Sequence, residues 1–187
     1  MSAATTPAPA PAAAPLDVAL DPPLDAALED ALLACWVDVS NAGGAVGFVP
    51  PVTADDVRPT AAKVLGRLSA RGGPDHLLVA RDGAGAVAGW LVLEDREHRL
   101  TGHWRTLKRV QVHPSRQGTG VGGLLLRAAE DAARTLGLEA LHLTVRGGTG
   151  TEAFYARHGY VEVGRVPRAL RVAAGDDRDE VYMVRSL

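Results

Sequence analysis

Cysteine is almost missing from this chain. Cys35 stands alone, so no internal disulfide framework can hold the fold, and that usage fits a reducing cytosol. It sits in "ALEDALLACWVDV" and reads as a small core residue. No apolar run approaches the roughly 18 residues of a bilayer-spanning helix. No lysine or arginine leads into an apolar stretch at the N-terminus, which argues against a secretory signal. With a formal net charge of −2 and no basic run, a nucleic-acid groove or an anionic membrane surface lacks electrostatic support. His76, His98, His113 and His158 have no cysteine or carboxylate partner at ligand spacing, and no metal is expected. Aromatic residues make up only 4%, and Trp36, Trp90 and Trp104 are read as core or cleft-lining side chains.

What is present is a globular composition, 47% hydrophobic and 22% charged over 187 residues, enough to bury one core. The opening "MSAATTPAPAPAAAP" is expected to be a disordered Ala/Pro-rich tail over residues 1–15, followed by a single domain over 16–187. Leu24, Leu28, Leu32, Cys35/Trp36 and Val39 have helical spacing. After the loop "NAGGAVGFVPPV", Thr53 with Asp55 and Asp56 marks a second helix start. That helix is expected to run to about Ala70 with Val57, Ala61, Val64, Leu65 and Leu68 inward. "HLLVARD" and "AVAGWLVLED" form a hairpin across Asp82-Gly83-Ala84-Gly85. "TLKRVQVH" is a third strand, alternating Leu107, Arg109, Gln111 and His113 against Lys108, Val110 and Val112. A helix over about Val121–Leu136, the strand "EALHLTV", a short helix in "TGTEAFYARHG", and the strands "YVEVGRV" and "RDEVYMVRSL" complete the chain. "DDRDE", Asp176 to Glu180, is taken as a solvated turn. The sum is a mixed α/β domain of one sheet and about four helices.

Glycine is concentrated at one junction. "GTGVGG", Gly118 to Gly123, follows a strand and opens a helix, although glycine costs about 0.5–1 kcal/mol relative to alanine in regular structure. It formally satisfies G-x-G-x-x-G, but the next strand ends Thr144-Val145-Arg146 where a ribose-binding acid would stand, so the dinucleotide reading fails. A P-loop fails too, because no Lys-Ser/Thr pair closes the glycines. The remaining reading is a loop whose bare amides, with the helix dipole, receive an anionic group.

"VHPSRQGTGVGGLLL" resembles the pyrophosphate-binding motif of the Gcn5-related N-acetyltransferases (GNAT), a Gln/Arg-x-x-Gly-x-Gly/Ala core after a strand ending Val-x-Pro. Here the core is Gln117, Gly120 and Gly122, preceded by Val112 and Pro114. The resemblance implies that amides from Gln117 through Gly118, Thr119, Gly120, Val121 and Gly122 to Gly123 cradle coenzyme A. It also implies that backbone groups of Val110, Gln111 and Val112 pair with the pantetheine arm. "EAFYARHGYVEVG" resembles the family's later motif and places Tyr155 beside the thioester sulfur, where a hydroxyl suits protonation of the leaving thiolate. The implied fold is a mostly antiparallel sheet splayed at its central strands. The implied activity is direct transfer of acetyl from acetyl-CoA to a primary amine of a small molecule, with the thioester carbonyl polarised by a backbone amide near Val112.

Within the family the chain looks closest to the branch of tabtoxin-resistance acetyltransferases, but Thr106, Thr144 and Arg146 stand where that branch tends to carry acids. The general base therefore stays open among His103, His142, Glu94, Glu97 and water. Arg146 is read as a solvated surface arginine, with a carboxylate or phosphate on the substrate as its other reading. A non-catalytic acyl-CoA-binding sensor or scaffold is the alternative function, and a purely protein-binding domain a third. The cysteine usage sets the expectation of a cytoplasmic protein, and the resemblance, since dimers are common in the family, implies a homodimer as one form of the chain.

Overall fold

Asp25 Oδ1 accepts a hydrogen bond from Leu28 N at 2.8 Å and so caps helix α1 (Ala26–Asn41). Thr53 and Asp56 cap α2 (Ala54–Leu68) reciprocally. Asp56 Oδ2 accepts from Thr53 N at 2.8 Å, and Thr53 Oγ1 accepts from Asp56 N at 3.4 Å. The structure is a computed structural model that describes residues 16–68 and 73–187. The expected tail at 1–15 and the expected last turn of α2 near Ala70 lie outside the described residues.

Seven strands form one sheet in the order β1-β2-β3-β4-β5-β7-β6. They are β1 (Asp17–Leu20), β2 (His76–Arg81), β3 (Val87–Asp95), β4 (Trp104–Val112), β5 (Ala140–Arg146), β6 (Val161–Ala173) and β7 (Asp176–Ser186). Helix α3 (Val121–Thr135) makes the crossover between β4 and β5, and α4 (Thr151–Arg157) follows β5. Every strand pair is antiparallel except β4 with β5.

The sheet is buried unevenly. Leu78, Leu91, Leu93 and Leu107 turn to α3 and meet Leu125, Leu126, Ala129 and Ala133. Leu77, Val79, Trp90 and Val92 turn to the other face and meet Leu32, Trp36, Val57 and Ala61 of α1 and α2. Each fully enclosed leucine contributes about 1.5–3 kcal/mol of transfer free energy, and double coverage explains why β2 and β3 run apolar without alternation. β5 does alternate. Leu141, Leu143 and Val145 are buried toward α3, while no β5 residue joins the cluster under α1 and α2. On that second face His142 and Thr144 stay half-buried.

The central strands splay. β4 registers with β5 only from Trp104↔Ala140 to Thr106↔His142, although β4 continues to Val112 and β5 to Arg146. Just beyond the last parallel pair, β4 carries one extra residue between its contacts with Val92 and Trp90. Arg109 there takes φ 53°, in the left-handed region, as a bulge that bends one strand requires. This bulge overturns the simple alternation expected for the strand. Leu107, Val110 and Val112 all pack toward α3, while Lys108 and Gln111 pair with Val92 and Trp90.

Two further expectations change. β1 pairs antiparallel with β2 and went unrecognised, because four half-exposed residues carry little pattern. Asp176 to Glu180 form no solvated turn; they are the first half of β7, paired with β6. Arg165, Arg168 and Arg171 stand across the hairpin from these acids, with Arg165–Asp179 at 3.0 Å, Arg168–Asp177 at 3.1 Å and Arg171–Asp177 at 2.7 Å. Opposite charges across a ladder stabilise it, so a charged run there is strand. Among the described residues no helix is long and apolar enough to cross a membrane.

Candidate active site

The glycine-rich segment does two different jobs. Gly118 and Gly120 take φ of +75° and +91°, and a Cβ on either would meet nothing within 4 Å. They supply a backbone shape that side chains resist, facing open space. Gly120 is the N-cap of α3 and supplies no side-chain hydrogen bond. The first helical bond runs from Leu124 N to Gly120 O, so the N–H groups of Val121, Gly122 and Gly123 precede it and remain free to receive an anion. Gly122 and Gly123 serve packing instead. A Cβ on Gly122 would stand 3.0 Å from Phe154 Cζ, and one on Gly123 2.8 Å from His158 Cε1. The loop is braced from within. Gln117 Nε2 donates to Val112 O at 3.2 Å, Thr119 Oγ1 donates to Arg116 O at 2.7 Å, and Arg116 pairs with Asp82 of the β2–β3 turn.

Past Thr106 the edge of β4 that faces β5 has no strand partner, so backbone groups along Val110, Gln111 and Val112 lie at an open edge that leads to the glycine loop. A phosphate-bearing group with an extended, amide-containing arm fits this combination: a strand edge for the arm and a capless helix start for the charge.

Tyr155 lies on α4 at 8% exposure. Its ring packs edge-on against Phe154 and Tyr160, with centroids 5.1 Å and 5.7 Å away. Burial holds its phenol well above the ordinary tyrosine value, so the hydroxyl keeps its proton at neutral pH and is a donor. It makes no hydrogen bond among the described residues.

On the opposite face, an open cavity of about 430 Å³ is lined by residues that include Glu94, Glu97, Thr106, Lys108 and His142. Glu94 pairs with Thr106 across β3–β4, and Thr106 with His142 across β4–β5, so the three stand in a row at the apex of the splay. Three of the four side chains named as base candidates therefore meet in one cavity. His103 is not among them; it is exposed, its ring 5.8 Å from that of Trp104. Glu97 is engaged by Arg67, whereas Glu94 has no ion pair or hydrogen bond among the described residues. Desolvation first, then the charges of Arg96 and Lys108, pushes the His142 imidazole below its ordinary value, and its Nδ1 is buried without a partner. A neutral histidine lining the cavity can accept a proton. Cys35, 2% exposed, lies on the buried face of α1, and burial with the nearby Asp38 pushes its thiol up to about 12, which removes it as a nucleophile.

Residues 73–162 match the family model of the acetyltransferase (GNAT) domain. Over these residues the chain carries a GNAT acetyltransferase domain. Solved structures agree on the fold. A GCN5-related N-acetyltransferase from Kribbella flavida is 22% identical with a TM-score of 0.74, covering 92% of this chain and 98% of that one. An acetyltransferase of the GNAT family from Streptococcus pneumoniae is 20% identical with a TM-score of 0.71, over 91% and 100%. The protein yncA from Salmonella typhimurium, solved with its cofactor acetyl-CoA, is 21% identical with a TM-score of 0.69, over 92% and 94%. No curated protein matches the chain in sequence.

Sequence reasoning named Glu94, Glu97 and His142 on this second face but missed Lys108, Arg109 and Gln111. Lys108 faces it by plain alternation from Thr106, whereas Gln111 turns to this face because of the bulge, which no local pattern announces. Arg109 lies over Trp36 of α1, its guanidinium carbon 4.6 Å from the ring centroid. An arginine flanked by lysine and valine in a strand is the one available signal, and it reads as surface until α1 is placed above it.

Proposed function

We propose that the chain transfers the acetyl group of acetyl-CoA to a primary amine of a small molecule by direct attack. The observation that carries this reading is the splay beyond Thr106 and His142, which runs into a helix start with free amides on one side and the Glu94/His142 cavity on the other. Acetyl-CoA, when bound, supplies the acyl group already activated as a thioester.

The free N–H groups of Val121, Gly122 and Gly123, with the helix dipole, hold the pyrophosphate, and the open edge of β4 at Val110 to Val112 orients the arm. A backbone N–H near Val112 polarises the thioester carbonyl. Glu94 holds the acceptor as its ammonium, and neutral His142 takes the proton that must leave before nitrogen can attack. As the C–N bond forms and the C–S bond breaks, Tyr155 donates its phenolic proton to the departing sulfur and is reprotonated from solvent. The polar residues of the second face favour an acceptor that enters from the α1 side, and we place the reaction in the cytoplasm on the reading of Cys35.

The test is release of CoA thiol from acetyl-CoA in the presence of a panel of primary amines, for the wild type and for Tyr155→Phe. Amine-dependent thiol release that falls at least tenfold in Tyr155→Phe supports transfer with Tyr155 as acid. Acetyl-CoA binding with no amine-dependent release identifies the domain as an acyl-CoA sensor and overturns the enzyme reading.

A further inference from the structure

The charges around the acceptor cavity do not all cancel. Arg67 is taken by Asp75, at 2.6 Å, and by Glu97. Asp95 is taken by Arg105 at 2.9 Å. Arg96 lies over the Trp104 ring at 5.7 Å. Lys108 and Glu94 have no ion pair or hydrogen bond among the described residues. Arg109, the neighbour of Lys108 on β4, stands outside that lining and is unpaired as well. Its guanidinium presents five N–H donors and makes one hydrogen bond, from Nη1 to Val46 O at 3.3 Å. No carboxylate lies within ion-pair distance of it among the described residues.

That guanidinium is half-buried between β4 and the α1–α2 loop, with Trp36 on one side and Gly47 on the other. A Cβ on Gly47 would stand only 2.7 Å from Arg109 Nη1, so the loop leaves just enough room for it. A desolvated cation without an anion is costly, and proteins hold one where a ligand supplies the counter-charge. Burial lowers the basicity of Arg109, and Glu94 opposes that at a distance without touching it. Beside it on the same strand, Gln111 is 2% exposed, and both its amide oxygen and its amide nitrogen lack partners. A free fork of N–H groups and a separate free carboxylate thus lie on the same face of the sheet.

We infer that the acceptor is an amine that also carries an anionic group of the carboxylate class, received by Arg109 while Glu94 receives the ammonium. This rests on the acetyltransferase reading above and narrows its substrate. The planar fork of arginine suits two-point recognition of a carboxylate. Lys108, which lines the cavity, adds a positive field that draws the anion in.

The experiment compares amino carboxylates with their matched carboxamides: L-alanine and L-alaninamide, L-phenylalanine and its amide, 4-aminobutyrate and its amide. Each is titrated calorimetrically into the full chain with and without saturating CoA, in the wild type, Arg109→Gln and Arg109→Lys, with the melting midpoint of each variant recorded. At least one pair should show the carboxylate bound tenfold or more tightly than its amide. Arg109→Gln should abolish that ratio, and Arg109→Lys, which keeps the charge but loses the fork, should retain part of it. Equal binding of every pair, binding of none, or a ratio that survives in a normally melting Arg109→Gln overturns the inference. If Arg109→Gln does not melt cooperatively, an undiminished ratio in Arg109→Lys overturns it. If the chain binds no CoA, the acetyltransferase reading fails, and the titrations without CoA still decide whether Arg109 reads a carboxylate.

Discussion

Gly122 lies against Phe154 so closely that an added Cβ would stand 3.0 Å from the ring's Cζ. The start of α3 and the helix that carries Tyr155 are therefore packed as one unit, and the glycines divide by role. Gly122→Val should destabilise the fold by about 1–3 kcal/mol through overpacking against Phe154. Gly120→Ala meets open space and should cost about 1 kcal/mol, from its positive φ alone, yet weaken acetyl-CoA binding. Thermal melts paired with calorimetry separate the two, and equal stability losses would contradict the division.

Tyr155→Phe removes a hydroxyl that has no partner among the described residues. Its stability should change by no more than about 0.5 kcal/mol, as for substitutions that break no contact. Turnover should fall on the order of 10²-fold, the range of a lost general acid, with acetyl-CoA affinity unchanged. A large drop in melting temperature would make Tyr155 a packing residue.

His142 is held neutral by desolvation and by the charges of Arg96 and Lys108. Protonation removes the base, so kcat/KM should fall as pH drops through a value below the ordinary histidine pKa of about 6.5. Above that value the limb should be flat until other groups titrate. His142→Gln should remove this acid limb while leaving a lower rate. A limb unchanged in His142→Gln would pass the role to Glu94 or water.

Gly89 has no part in the loop, but its place in β3 puts a hypothetical Cβ 2.6 Å from Gln111 O and 3.1 Å from Leu125 Cδ1. Backbone cannot yield as a side-chain tip can. Gly89→Ala should therefore cost about 2 kcal/mol or more, seen as a lower urea midpoint, and should loosen the β3–β4 pair beside the splay.

The repeats of apolar spacing made the helices and the central hairpin legible, because α1, α2 and α3 each bury one stripe and β2 with β3 are covered on both faces. The glycine loop was legible through its residue types alone, since Gly118 and Gly120 hold conformations that other residues resist. The bulge at Arg109 was not. It depends on the match of β4 to β3, and it turns Gln111 to the second face and Val110 with Val112 to α3. The charged half of β7 read as a turn because its partners, Arg165 to Arg171, lie across a hairpin. The meeting of Glu94, Thr106 and His142 is likewise a property of three strands brought side by side, which no single segment encodes.

The most direct test of the central claim is calorimetric titration of acetyl-CoA and of NAD into the purified chain, repeated with Gly120→Glu. The glutamate puts a side chain and a negative charge at the free amides of α3. Micromolar binding of acetyl-CoA by the wild type, absent for NAD and lost in the variant, is the predicted result. No binding of acetyl-CoA by the wild type, or equal binding by a folded Gly120→Glu, would contradict the assignment of the glycine loop to coenzyme A.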